Sequence, residues 1–168
     1  GGIACAISEA DSVEDHVQDT LATGCGLSDP DAVRAILSQA ARGIRALESF
    51  GLEFERIEEN GKEYDLGKEG GHSRRRVLHA GDITGHEIMR VLLKQVANNP
   101  NITVQPGCMA IDLVTTGALR MDGPDRCIGA YFLDTAKNEI LGIRASSTVL
   151  ATGGAGKVYL YTSNPDVA

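Results

Sequence analysis

Between Val33 and Leu47 the apolar residues Val33, Ile36, Leu37, Ala40, Ala41, Ile44 and Leu47 return at the helical period. Only a helix with one buried face keeps such a pattern on one side, because strand side chains alternate between two faces. The segment opens at Ser28-Asp29-Pro30-Asp31, where acceptor side chains precede a proline tolerated in the first turn, and Gly51 ends it. A companion helix lies upstream. Ser12 precedes Val13, Val17 and Leu21, Asp15 completes a capping-box-like start, and Gly24 supplies the stop. The first third therefore reads as a helical pair.

Leu52 and Phe54 alternate with charged residues up to Glu58, and Asn60-Gly61 is a favoured hairpin turn, with Tyr64 and Leu66 on the return. Lys68 to Arg76 has no periodicity and reads as a loop. Thr84-Gly85-His86-Glu87 forms a second capping box ahead of Ile88, Val91, Leu92 and Val96, and Asn98-Asn99-Pro100-Asn101 closes that helix. Ile102-Thr103-Val104 follows as a short strand, and helix-then-strand order points to a crossover unit in a parallel sheet. Met109 to Thr115 is a second strand. Cys127 to Leu133 and Ile140 to Arg144 pair around Lys137-Asn138, and Thr148 to Thr152 is a buried strand running into Gly153-Gly154. The class is α/β, with parallel and antiparallel strands.

Composition narrows the function classes. A chain of 168 residues suits about one domain. Its net charge of −7 argues against nucleic acid or an anionic membrane as the main partner. No apolar run approaches the ~20 residues of a membrane helix. Cys5, Cys25, Cys108 and Cys127 are scattered without a CxxC pair, so neither a metal site nor a redox dithiol is signalled, and free thiols suit a reducing compartment such as the cytoplasm. The chain opens on Gly1-Gly2-Ile3 and closes on Asn164-Pro165-Asp166-Val167-Ala168, which reads as a piece of a longer protein.

Several familiar motifs fail on inspection. His86-Glu87 begins a zinc-helix pattern, but Arg90 stands where the second histidine belongs. Gly153-Gly154-Ala155-Gly156-Lys157 lacks the first glycine of a phosphate loop, where Ala151 stands, and its hydroxyl residue, where Val158 stands. Tyr159 likewise breaks a dinucleotide fingerprint. What survives is a strand delivering a glycine turn whose backbone can approach a cofactor, against the plain alternative of a tight turn. Ser73-Arg74-Arg75-Arg76 is a basic cluster, either a solvated loop or an anion-recognition site. Glu69-Gly70-Gly71-His72 just before it adds a carboxylate, two permissive glycines and an imidazole, a mixture typical of binding loops. His72 and Ser73 do not make a hydrolytic triad, since no nucleophile elbow is present.

The run Glu69-Gly70-Gly71-His72-Ser73-Arg74-Arg75-Arg76-Val77-Leu78-His79-Ala80-Gly81-Asp82-Ile83-Thr84-Gly85 closely resembles the L-aspartate oxidases, within the superfamily of succinate dehydrogenase and fumarate reductase flavoproteins. Gly1-Gly2-Ile3, Asp11 to Leu21, Ala151 to Tyr159 and Thr162 to Asp166 match further ordered motifs of that family. The resemblance covers essentially the whole chain. It implies that residues 1–168 are part of a Rossmann-like FAD-binding domain without its first βαβ strand. The pyrophosphate-binding segment would lie before Gly1, and the capping and helical domains, with further catalytic residues, after Ala168. Such a fragment is expected to bind FAD poorly, to be inactive alone and to present an unpaired sheet edge.

For the parent protein the resemblance implies FAD-dependent oxidation of L-aspartate to iminoaspartate. Oxygen or fumarate would reoxidise the flavin, and quinolinate synthase would take the product into NAD synthesis. Gly1 and Gly2 match the segment against the isoalloxazine, Met109 and Ala110 a strand whose backbone reaches the adenine, and Thr152, Gly153 and Gly154 the glycine turn near the nucleotide half. Glu69 matches the acid that separates aspartate oxidases from dicarboxylate-only relatives, because aspartate carries an ammonium that a carboxylate can pair with. His72, Ser73 and Arg76 are expected to line the site. The rivals are a fumarate reductase or succinate dehydrogenase flavoprotein subunit and a non-catalytic nucleotide-binding module.

Overall fold

The computed structural model describes residues 1–57, 61 and 63–162. These fall into two compact units, one spanning Gly1–Thr103 and the other beginning at Val104. The first runs β1 (Ile3–Ala4), α1 (Val13–Thr23), α2 (Pro30–Leu37), α3 (Ala40–Ser49), β2 (Val77–Leu78) and α4 (Thr84–Asn98). The second holds β3 (Cys108–Thr115), β4 (Cys127–Asp134) and β5 (Glu139–Arg144), followed by one 3₁₀ turn, Gly156–Val158.

Helix starts follow the local chemistry. Ser12 Oγ accepts the Asp15 N–H at 3.0 Å, and Asp29 accepts the N–H groups of Asp31 and Ala32 at 2.9 and 3.1 Å. Each interaction satisfies donors that the first turn leaves without partners. The helix expected from Pro30 to Gly51 is in fact two. It breaks at Ser38-Gln39, where Ser38 Oγ donates to the Ala35 carbonyl at 3.0 Å and competes with the backbone ladder. α2 buries none of its residues, and Ile44 on α3 is the residue of this pair that is fully buried. The second expected capping box does not form. Thr84 is the first helical residue rather than the cap, and its hydroxyl accepts the Ala80 N–H at 3.0 Å and donates to the Gly1 carbonyl at 2.9 Å.

The core of the first unit is Cys5, Ile44, Leu52, Phe54, Leu78 and Val91. Each large aliphatic group fully buried there contributes about 1.5–3 kcal/mol relative to exposure. β1 pairs antiparallel with β2, Ile3 opposite Leu78 and Ala4 opposite Val77. The expected hairpin is present as an Arg56–Tyr64 bridge, with Gly61 at φ +59°. Glu58, Asn60 and the Ser163–Asp166 part of the last motif lie outside the described residues.

In the second unit β3, β4 and β5 form an antiparallel meander in that order. Asn138, at φ +56°, makes the tight turn between β4 and β5 that the sequence places there. Helices and strands are mixed as expected, but every ladder between named strands is antiparallel. Ile102–Val104 and Thr148–Thr152 are not strands. A strand persists through its ladder, and no described segment pairs with either. Val149 and Leu150 are consequently 86% and 64% exposed rather than buried.

Candidate functional site

β2 is the rail on which the site is assembled. On one side it carries β1, with the Cys5 N–H donating to the Arg76 carbonyl at 2.8 Å. On the other, Gly67 and Val77 exchange hydrogen bonds of 2.8 and 3.1 Å, and the Arg76 N–H donates to the Gly67 carbonyl at 3.0 Å. The chain thus leaves the rail at Gly67 and returns at Arg76, so residues 68–75 form a loop closed at its base. A Cβ at Gly67 would stand 2.5 Å from His79 Cε1, so a larger residue at this closure requires the His79 ring to shift.

Inside the loop the chain turns at Gly70-Gly71, with Gly71 at φ +82° and the His72 N–H donating to the Glu69 carbonyl at 3.3 Å. The loop is pinned at its middle by α1. One carboxylate oxygen, Asp19 Oδ2, accepts the Ser73 N–H at 2.7 Å, the Ser73 hydroxyl at 2.8 Å and Arg76 Nη1 at 2.7 Å. The Ser73 backbone bond is the largest cause that holds the Asp19 carboxyl down to about 2, with the Ser73 hydroxyl and Arg76 adding to it.

Arg76 is fully buried. Its Nε and Nη2 each meet a carboxylate oxygen of Asp11 at 2.8 Å, a two-pronged pair, while Nη1 takes Asp19. Burial works against its charge, but the two carboxylates outweigh that and raise its pKa further. Arg76 therefore turns inward and holds the loop, in contrast to the site-lining position expected for it. Arg74 pairs at 3.4 Å with Asp15 on the surface, and Arg75 Nε donates to the Leu66 carbonyl at 2.7 Å.

These contacts resolve the basic cluster. Two of its three arginines face the chain's own Asp11, Asp15 and Asp19, spaced every fourth residue, the first just before α1 and the other two on it. That spacing puts Asp15 and Asp19 on one helix face and is visible in the sequence, but the apolar period and the capping pattern of α1 do not point to it.

Glu69 is exposed, and its carboxylate has no ion-pair partner among the described residues. His72 is half-buried, with Nδ1 enclosed and without a hydrogen-bond partner among the described residues, and its ring meets His16 edge-on at 5.8 Å. Two hollows flank the loop. One of about 870 Å³ is lined by Ile7–Asp11, Tyr64–Leu66, Lys68 and Ser73–Arg75, among others. A smaller one of about 310 Å³ lies between α1 and Gly70-Gly71-His72. Both volumes are of ligand-site size.

The structure thus brings Glu69, His72 and Ser73 together in one loop, with Arg76 at its base, across β2 from Gly1 and Gly2. The latter two are exposed, and a Cβ on Gly2 would stand 2.5 Å from the Leu78 carbonyl oxygen. Met109, Ala110, Thr152, Gly153 and Gly154 belong to the second unit. Met109 and Ala110 lie on the edge strand β3, beside an irregularity between Ala110 and Asp112. Gly153 has φ +79° in an exposed segment without regular structure. No helix among the described residues is long and apolar enough to cross a membrane.

The FAD binding domain family matches residues 1–168. The L-aspartate oxidase of Yersinia pestis is 44% identical over 170 residues, covering 100% of this chain and 32% of that protein. L-aspartate oxidase 1 of Ralstonia nicotianae is 46% identical over 168 residues, covering 100% of this chain and 31% of its own length. Among solved structures, an E. coli quinol fumarate reductase superposes with a TM-score of 0.86 at 29% identity, over 99% of this chain and 27% of that one. The chain spans about a third of the length of the curated relatives it matches.

Proposed function

The chain belongs to the FAD binding domain family, and from that premise we propose that the protein containing it is an FAD-dependent L-aspartate oxidase. The observation that carries the reading is Glu69: an exposed carboxylate, without an ion-pair partner among the described residues, on a loop whose base and middle are tied down. The two curated relatives given above bear that enzyme's name.

The residues present fit the cofactor. Gly1 and Gly2 offer an exposed backbone without side chains, Gly153 reaches a left-handed conformation open to backbone approach, and the edge of β3 leaves main-chain groups outside its ladder. In this proposal Gly1, Gly2, Met109, Ala110, Thr152, Gly153 and Gly154 hold FAD. Bound there, it supplies the hydride acceptor for oxidation of aspartate at Cα to iminoaspartate. Glu69 pairs with the substrate ammonium, so it orients the amino acid and selects it over succinate. His72 and Ser73 shape the same loop, and Arg76 acts through it. Oxygen or fumarate as electron acceptor, quinolinate synthase as consumer of the product and a cytoplasmic location belong to the same proposal.

The fumarate reductase likeness favours a second reading, a dicarboxylate flavoprotein. Glu69 opposes it, because a substrate carrying only carboxylates offers no ammonium for that carboxylate to pair with. Assay of the full-length protein separates the two: turnover of aspartate supports the oxidase, and turnover of succinate alone overturns it. In a Glu69→Gln variant aspartate oxidation should fall about tenfold or more while fumarate reduction changes little. Equal losses would remove Glu69 from ammonium recognition.

A further inference from the structure

The loop that carries Glu69 is held in part by a residue outside it. Asp19, on α1, spends a single oxygen on three donors: the Ser73 N–H, the Ser73 hydroxyl and Arg76 Nη1. Its side chain is 18% exposed, and Arg76 is fully enclosed. Ser73 stands four residues after Glu69, and the turn between them rests on Gly70, Gly71 and the His72–Glu69 backbone bond. Without Asp19 the loop keeps its base at Gly67–Val77, two residues before Glu69, but loses the fixed point that follows Glu69. Arg76 extends the same network to Asp11, in the segment that leads from Gly1-Gly2 and β1 into α1.

We infer that Asp19 is a specificity-positioning residue: by clamping Ser73 and Arg76 it fixes the loop so that the Glu69 carboxylate meets an ammonium-bearing dicarboxylate. The inference rests on the proposed role of Glu69. Asp19 touches neither substrate nor cofactor in this scheme. It acts through Ser73, and its effect is to convert a flexible carboxylate into a preorganised one, which is where orientation contributes to rate and selectivity.

The test uses the full-length enzyme with Asp19→Ala, Asp19→Asn, Ser73→Ala, Glu69→Gln and the Asp19→Ala/Glu69→Gln pair. Four readouts are taken: aspartate KM and kcat separately, the succinate inhibition constant, bound flavin, and amide hydrogen exchange across residues 68–76. Asp19→Ala should raise aspartate KM about tenfold, leave succinate inhibition and flavin content near the parent values, and speed exchange at Ser73. Asp19→Asn, which keeps an acceptor for the Ser73 N–H but no charge for Arg76, should recover part of that loss. In the double variant the two losses should overlap rather than multiply, because both act through one carboxylate.

Multiplying losses, or an equal weakening of aspartate and succinate, would overturn the inference. If Glu69→Gln itself leaves the aspartate-to-succinate ratio unchanged, the reading of Glu69 fails. If Glu69→Gln lowers that ratio and Asp19→Ala does not, only the role of Asp19 fails. Should Asp19→Ala not fold, Ser73→Ala decides, since it removes one donor while leaving both arginine pairs: a lowered ratio sustains the inference and an unchanged one refutes it.

Discussion

Arg76 and Asp11 meet through two parallel N–H···O bonds of 2.8 Å, with both side chains essentially out of contact with water. This geometry is one that guanidinium matches and ammonium does not. It joins the segment just before α1 to the residue that leads into the rail strand β2.

Replacing Arg76 by Ala leaves two carboxylates without their cation, one of them fully buried. A loss of about 3–5 kcal/mol is expected, read as a lowered denaturation midpoint. Arg76→Lys should recover only part, because one ammonium cannot serve Asp11 on two prongs and Asp19 as well. Full recovery by Lys would show that charge alone suffices there.

Gly2 and Gly1 should differ sharply when each is changed to Ala. A Cβ on Gly2 would stand 2.5 Å from both the Leu78 carbonyl oxygen and Val77 Cγ1, whereas one on Gly1 meets nothing within 4 Å. Gly2→Ala should cost about 1–3 kcal/mol through strain in the β1–β2 pair, and Gly1→Ala close to nothing. Thermal unfolding of both variants side by side checks this, and equal midpoints would contradict it.

His16 sets a pH dependence near neutrality. It is almost fully buried, and burial first, then the charges of Arg76 and His72, hold its pKa below the ordinary value. The folded state therefore binds its proton less readily than the unfolded chain. The stability tied to neutral His16 is complete above about pH 6.5 and is lost as the pH falls through its lower folded value. Denaturant titrations between pH 8 and pH 5 should show this decline, and His16→Gln should flatten it.

Asp19 acts in a more acid window. Its pKa is about 2 in the folded chain against 3.8 ordinarily. Its contribution is complete above about pH 4 and disappears as the pH drops through 2, when the carboxyl takes up a proton and releases Ser73 and Arg76. Stability curves of the parent and of Asp19→Asn should converge over that interval, and a constant gap down to the lowest pH would contradict this.

Much of this arrangement was legible wherever the cause is local. Ser12 and Asp29 cap helices because a short acceptor side chain reaches the next free N–H, and Asn138 turns the β4–β5 hairpin because it tolerates a left-handed backbone. The loop from Lys68 to Arg76 was visible from its lack of period. Partners distant in sequence were not. Thr84 reads as a cap until its hydroxyl is found on Gly1, and Arg76 reads as a binding residue until Asp11 and Asp19 enclose it. Thr148 to Thr152 has strand composition, but composition cannot supply a neighbouring ladder. Of the candidate site, the loop and its carboxylate were readable, while the clamp that holds them required tertiary contacts.

The pairing of β1 with β2 also imposes an order in time. Ile3 must find Leu78, and Asp11 must find Arg76 across a separation of 65 residues, whereas each helix forms from neighbours. Closing so long a segment is slow compared with winding a helix. During refolding, helical dichroism is therefore expected to return before the Cys5 thiol becomes shielded from a labelling reagent. Simultaneous recovery would mean that the clasp between the chain's beginning and its rail strand nucleates folding instead of completing it.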